Sequence, residues 1–134
     1  MREGEVFRSD HFIATREAGG RLFRLKRTTM PLDDRGIADA VAFFERFVAT
    51  SLRSHYVILL DSRDAPMTGD PDMERRVKAA GVTMLTGFAR SAILVRTALG
   101  KLQATRLTRE SRRVPVFGDE AAALEYLLDG ISLE

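Results

Sequence analysis

The chain has 134 residues, 45% of them apolar and 30% charged, which are the proportions of a single ordinary globular domain with a core of its own. It has no cysteine, which excludes disulfides, thiolate metal sites and a cysteine nucleophile. The formal net charge is only +2 although 18 of the 21 basic residues are arginine, a skew better explained by a GC-rich gene than by a nucleic-acid footprint. The first ten residues are charged and hold no apolar run, so no secretory leader is expected. No stretch approaches the ~18 apolar residues of a membrane span. A cytoplasmic location follows from these features as an expectation.

The opening segment reads as β. Val6-Phe7 and Phe12-Ile13-Ala14 supply its apolar residues, with Ser9-Asp10 as a break. Gly19-Gly20 separates this segment from Arg21–Lys26, a pattern that predicts a hairpin. Asp33 or Asp34 caps a first helix from about Arg35 to Leu52. Ile37, Val41, Phe44 and Val48 lie on one helical face, Phe47 widens it, and Phe43 lies further round with partial exposure expected. Tyr56–Leu60 is an apolar run without alternation, as in a strand covered on both faces, and it ends at Asp61.

A polar loop follows, and Asp70 or Asp72 caps a second helix with Pro71 in its first turn. Met73, Val77, Ala80, Met84 and Phe88 form its stripe. Ala92–Val95 is a second buried strand, and Thr97–Thr108 a third helix anchored by Leu99 and Leu102. Val114–Phe117 is a short strand placed at an edge, because Pro115 has no N–H to donate. Gly118-Asp119 leads into a last helix, Glu120–Leu128, closed by Gly130. The expected fold is one α/β domain over residues 1–134. An N-terminal β-hairpin leads into a mixed, mostly parallel sheet of about five strands packed with about four helices.

Dinucleotide, P-loop and nucleophile-elbow motifs are absent. His11 and His55 have no second histidine or cysteine at metal-ligand spacing. The most informative stretch is Asp61–Asp72, which leaves the carboxyl end of the strand expected at the centre, where open α/β sheets bind ligands. One reading is a site where Asp61 and Arg63, with Ser62, Asp64 and Thr68, meet a ligand or partner beside Arg96 and Thr97 of the next strand end. The other reading gives these aspartates only turn-forming and capping work. Mg²⁺ would want a phosphate co-ligand as well, so no metal is assigned. A receiver-type phosphoacceptor is rejected, because the first strands carry no acidic pair and no lysine follows Val116-Phe117.

Residues 96–113 hold six bases (Arg96, Lys101, Arg106, Arg109, Arg112, Arg113) against Glu110, a net +5. Residues 118–134 hold five acids and no base, a net −5. The basic segment has no aromatic residue for base stacking, so no nucleic acid is expected. Opposite patches of this kind can instead pair within the chain or between the subunits of a homodimer.

Val57–Asp61 with Arg63, Ala65-Pro66 and Asp70-Pro71, then Ala92–Val95, Gly100–Gln103, and Val116-Phe117 with Asp119–Leu127 together resemble the bacterial SpoIIAA-like (STAS/Sec14-like) family. The resemblance spans Arg21 to Leu128. It implies a STAS-like sheet packed with helices, no catalysis, no cofactor, and function through a protein partner. Carriage of a lipid or other small apolar ligand is the Sec14-like alternative. Phosphorylation, the family's switch, would fall on Ser62 or Thr68, although the Asp-Ser-Ser-Gly signature is missing. It would add nearly two negative charges beside Asp61 and Asp64.

Overall fold

The computed structural model describes residues 4–48, 50–66, 70–96 and 114–130. Six strands form one sheet whose spatial order is their chain order: β1 (Gly4–Arg8), β2 (Phe12–Glu17), β3 (Leu22–Arg27), β4 (Val57–Asp61), β5 (Arg90–Leu94) and β6 (Val116–Phe117). The pairs β1–β2 and β2–β3 are antiparallel, and β3 to β6 run parallel. Three helices stand among the described residues: α1 (Asp34–Phe47), α2 (Pro71–Leu85) and α3 (Glu120–Leu128). A 3₁₀ segment, Thr50–His55, precedes β4. The α/β class and the mixed sheet agree with the sequence. The strand count does not, because the break at Ser9-Asp10 is a full reversal. Ser9 Oγ accepts from the N–H groups of His11 and Phe12, both at 3.2 Å, and this turn splits the opening segment into two strands. The helix expected over Thr97–Thr108 lies outside the described residues. No helix among those described is long and apolar enough to cross a membrane.

The β2–β3 turn explains its two glycines. Ala18, Gly19 and Gly20 follow one another at positive φ (54°, 69° and 85°), a run that non-glycine residues sustain poorly. Alternation along the strands then separates two faces. On one, Phe12, Ala14, Phe23, Leu25 and Ile58 pack against Ala40, Phe43, Phe44 and Val48 of α1 and the residue after it, with Met84 and Leu85 of α2 adjoining. On the other, Leu22, Val57, Leu59, Ala92 and Leu94 pack against Ala123 and Leu127 of α3. β4 therefore buries both faces, as its unbroken apolar run implies.

Two sequence expectations about the helices are corrected. Phe43 is 2% exposed rather than partly open, because β1 lays Phe7 against it with ring centroids 5.2 Å apart. α1 ends at Phe47 rather than near Leu52. The chain turns there because Arg53, itself buried, folds back. Its Nε donates to Val48 O at 3.2 Å, and its Nη1 donates to Met84 O at 3.3 Å and Thr86 O at 3.0 Å. The guanidinium also lies 5.3 Å and 5.5 Å from the Phe44 and Phe88 ring centres. One cation thus meets the carbonyl ends of α1 and α2, where a helix dipole favours positive charge. Phe88, expected on the α2 stripe, lies past the helix end at Leu85 and stacks edge-on with Phe44.

α3 ends in the same way. Arg90 Nη1 donates to Tyr126 O at 2.9 Å and Asp129 O at 2.7 Å. At the opposite ends Asp33, Asp70 and Asp119 cap the three helices, accepting from Gly36, Asp72 and Ala122 N–H respectively. The two borders of the sheet are irregular. β6 has two residues, and Pro115 before it accepts from Ile93 N–H at 3.0 Å. The β1–β2 register slips between Glu5 and Phe7.

Gly36 and Gly81 are both helical but differ in their surroundings. A Cβ on Gly36 would lie 2.7 and 2.8 Å from the His11 ring and 2.8 Å from Leu32 Cδ1, whereas one on Gly81 meets nothing within 4 Å. Gly81→Ala is expected to stabilise by about 0.5–1 kcal/mol, the ordinary helix gain. Gly36→Ala is expected to destabilise by about 1–3 kcal/mol through overpacking. Urea denaturation of the two variants checks this, and a stabilising Gly36→Ala would contradict the described contact.

Candidate functional site

The α3 side of the sheet changes character at the carboxyl ends of the strands. Val57 and Leu59 of β4 point toward α3, and alternation puts Asp61 next in that row. Asp61 has no exposed surface and lies opposite Lys26 in the β3–β4 register. Arg24, two residues before Lys26, shares that face, and its guanidinium reaches three carboxylates. Its Nε and Nη2 hold Glu17 at 2.7 and 3.2 Å. Its Nη1 donates to Asp61 Oδ2 at 3.2 Å and to Glu120 Oε1 at 2.7 Å. Thr15 Oγ1 donates to Glu17 at 2.8 Å and steadies that carboxylate.

Arg63 closes the other side. Its Nε and Nη2 grip Asp61 Oδ1 and Oδ2 at 2.9 and 2.8 Å, the two-pronged geometry in which guanidinium and carboxylate match best. Its backbone N–H donates to Asp61 Oδ1 at 3.3 Å, and Nη2 also reaches Glu120 Oε1 at 3.0 Å. Three carboxylates and two guanidiniums thus form one connected cluster with a net charge of −1. Beside it Asp64 holds Arg96 at 2.9 Å and Lys26 at 3.6 Å, a smaller group of net +1. The two groups balance.

The titration behaviour follows. Burial alone would raise the Asp61 carboxyl, but the Arg63 side-chain and backbone hydrogen bonds, with Arg63's charge and Arg24, outweigh it and hold the group below the usual aspartate value. Glu120 is also held low, first by its hydrogen bond to Arg24 and then by Arg24's charge. Burial works against Arg24, yet Glu17 and Glu120 raise it, and Asp61 raises Arg63. Asp61, Glu120, Arg24 and Arg63 are therefore charged at neutral pH, each favouring its partners in that state.

Of the residues singled out from sequence, Asp61 and Arg63 come together, chiefly with each other. Ser62 N–H continues the sheet by donating to Leu94 O at 2.8 Å, and Ser62 O accepts from Ala65 N–H at 3.1 Å. Asp64 and Arg96 form an ion pair at the rim. Thr68 and Thr97 lie outside the described residues, as does most of the basic segment. Sequence reasoning passed over Glu17, Arg24 and Lys26, and took Glu120 only as a helix start. The signal for the first three is a polar row alternating with the apolar residues of β2 and β3. Glu120 carried no signal of its own. The chain matches no protein-family model, no curated protein and no solved structure.

Because Asp61 and Glu120 have lowered folded values, the stability they contribute is present above the ordinary carboxylate range. It is lost as pH falls through those folded values. The protein is expected to hold its stability down to about pH 5 and to lose it progressively below about pH 4. Asp61→Asn is expected to cost roughly 3 kcal/mol at neutral pH, the scale of breaking a buried ion pair, and to flatten the acid limb. Urea midpoints from pH 7 to pH 3 measure both effects, and identical acid limbs in the two proteins would count against the assignment.

Proposed function

We propose that the chain is a SpoIIAA-like (STAS/Sec14-like) regulatory domain that acts by binding a protein partner and catalyses no reaction. The observation that carries this reading is the saturation of the Asp61 carboxylate. Asp61 is enclosed, and both its oxygens accept from arginines. A general base or nucleophile needs a free lone pair facing substrate, and Asp61 offers none in this arrangement. The cluster instead fixes β2, β3, β4 and the start of α3 relative to one another. That rigidity presents a shaped, charged rim outside it: Lys26, Asp64 and the exposed Arg96. Rim charges of this kind act mainly on association rate and on partner choice.

The sequence resemblance adds to this reading, and so does the alternation of strand and helix from β3 through α1, β4 and α2 to β5. The alternative of an apolar cargo has no comparable observation behind it. On both faces of the sheet the aromatic and aliphatic side chains are in contact with one another.

A charge-swapped pair tests the proposal. Asp64→Arg with Arg96→Asp keeps an internal ion pair and the net charge but reverses the polarity of the rim. Tagged chain recovered from its native cells is expected to carry a stoichiometric protein partner in native mass spectrometry. The swapped variant, melting within about 3 °C of the original, is expected to lose it. Retention of the partner by the swapped protein would overturn the proposed surface. Recovery of a monomer holding an apolar ligand would overturn the partner reading itself.

A further inference from the structure

Among the described residues, the arginines withdrawn from solvent each donate to a carboxylate or a carbonyl, with one exception. Arg16 has a sealed Nε without a hydrogen bond, but its Nη2 donates to Gly20 O at 3.0 Å and its guanidinium lies over the Phe23 and Tyr56 rings. Arg24 and Arg63 hold carboxylates, and Arg53 and Arg90 hold helix carbonyls. Arg27, the last residue of β3, has no such partner. It is only partly accessible, its Nε is sealed from solvent without a hydrogen bond, and no carboxylate or carbonyl among the described residues reaches its guanidinium. That Nε–H has lost its water and gained no partner in return.

A second unsatisfied group lies at the same corner. His11 is 5% exposed, and its Nδ1 has no partner. Its Nε2 is 3.1 Å from Asp33 Oδ1, within ion-pair range but without hydrogen-bond geometry. The backbones are adjacent, for Thr28 N–H donates to His11 O at 3.0 Å and Phe12 lies opposite Arg27. Alternation puts Arg27 on the face of Phe23 and Leu25, beneath α1, and the His11 ring abuts Gly36 in the first turn of α1.

We propose that Arg27 and His11 form a binding site for a small oxyanion, a carboxylate or a phosphate group, where the end of β3 meets the start of α1. The guanidinium donates two parallel N–H groups to such an anion and the imidazole a third, the charge-assisted bonds both side chains lack without it. Asp33 opposes the anion and weakens it. The site lies across the sheet from the Asp61 cluster, so it stands apart from the proposed partner rim.

The experiment titrates the full chain with sodium phosphate and, separately, sodium acetate against sodium chloride of equal ionic strength, followed by amide NMR shifts and thermal melting. Saturable shifts and a raised melting temperature are expected with at least one oxyanion and not with chloride, and the two arms tell phosphate from carboxylate. Arg27→Gln is expected to weaken that binding about tenfold or more, yet to melt higher in chloride, because an uncompensated charge has gone. Asp33→Asn keeps a good helix cap and is expected to bind the anion more tightly. The proposal is overturned by the absence of a saturable response up to about 50 mM. It is overturned equally by undiminished binding in Arg27→Gln, by a lower melting temperature of that variant in chloride, or by unchanged affinity in Asp33→Asn.

Discussion

Two guanidiniums closing on the enclosed carboxylate of Asp61 join parts of the chain that are far apart in sequence. Arg24 brings β3 and, through Glu17, β2. Arg63 brings the loop after β4, and Glu120 brings the first turn of α3. The cluster lies where the apolar α3 side of the sheet gives way to solvent. A carboxylate without exposed surface is tolerated there because its hydrogen bonds to arginine replace those it made to water. α3 has nine residues, too few for an isolated helix to persist. Its place is set at one end by this cluster and along its length by Ala123 and Leu127.

The arginines, whose charge the acidic residues nearly balance, are put to a consistent use. All three helices begin at the carboxyl ends of the strands, so their dipoles point the same way. Aspartate meets the positive ends and arginine the negative ends: Asp33, Asp70 and Asp119 on one side, Arg53 and Arg90 on the other. Lysine would serve poorly in the second role. Arg53 reaches carbonyls after both α1 and α2 while lying against two phenyl rings, a task for a flat group with several donors.

Features decided by local chemistry were legible in the sequence. The Asp caps, the Gly19-Gly20 turn, the doubly covered β4 and the edge position of the strand after Pro115 follow from side chains within a few residues of one another. What was not legible depended on distant partners. Phe43 is covered in part by β1, separated from it by two strands in the chain, which supplies Phe7. The helical residues up to Leu52 gave no reason for α1 to stop, and the reason lies in Arg53 reaching back to Val48. The candidate site divides in the same way. Asp61 and Arg63 are two residues apart and visible as a pair, whereas Glu17, Arg24 and Glu120 join them through strand register and helix placement.

The irregular borders of the sheet bear on how the molecule meets others. An incoming strand needs a straight row of free N–H and C=O groups. One border offers two residues preceded by a proline, and the other is broken by the slip between Glu5 and Phe7. Among the described residues neither gives a long, straight template for an added strand. Contacts made across these described borders would therefore run through side chains rather than through a continued backbone ladder.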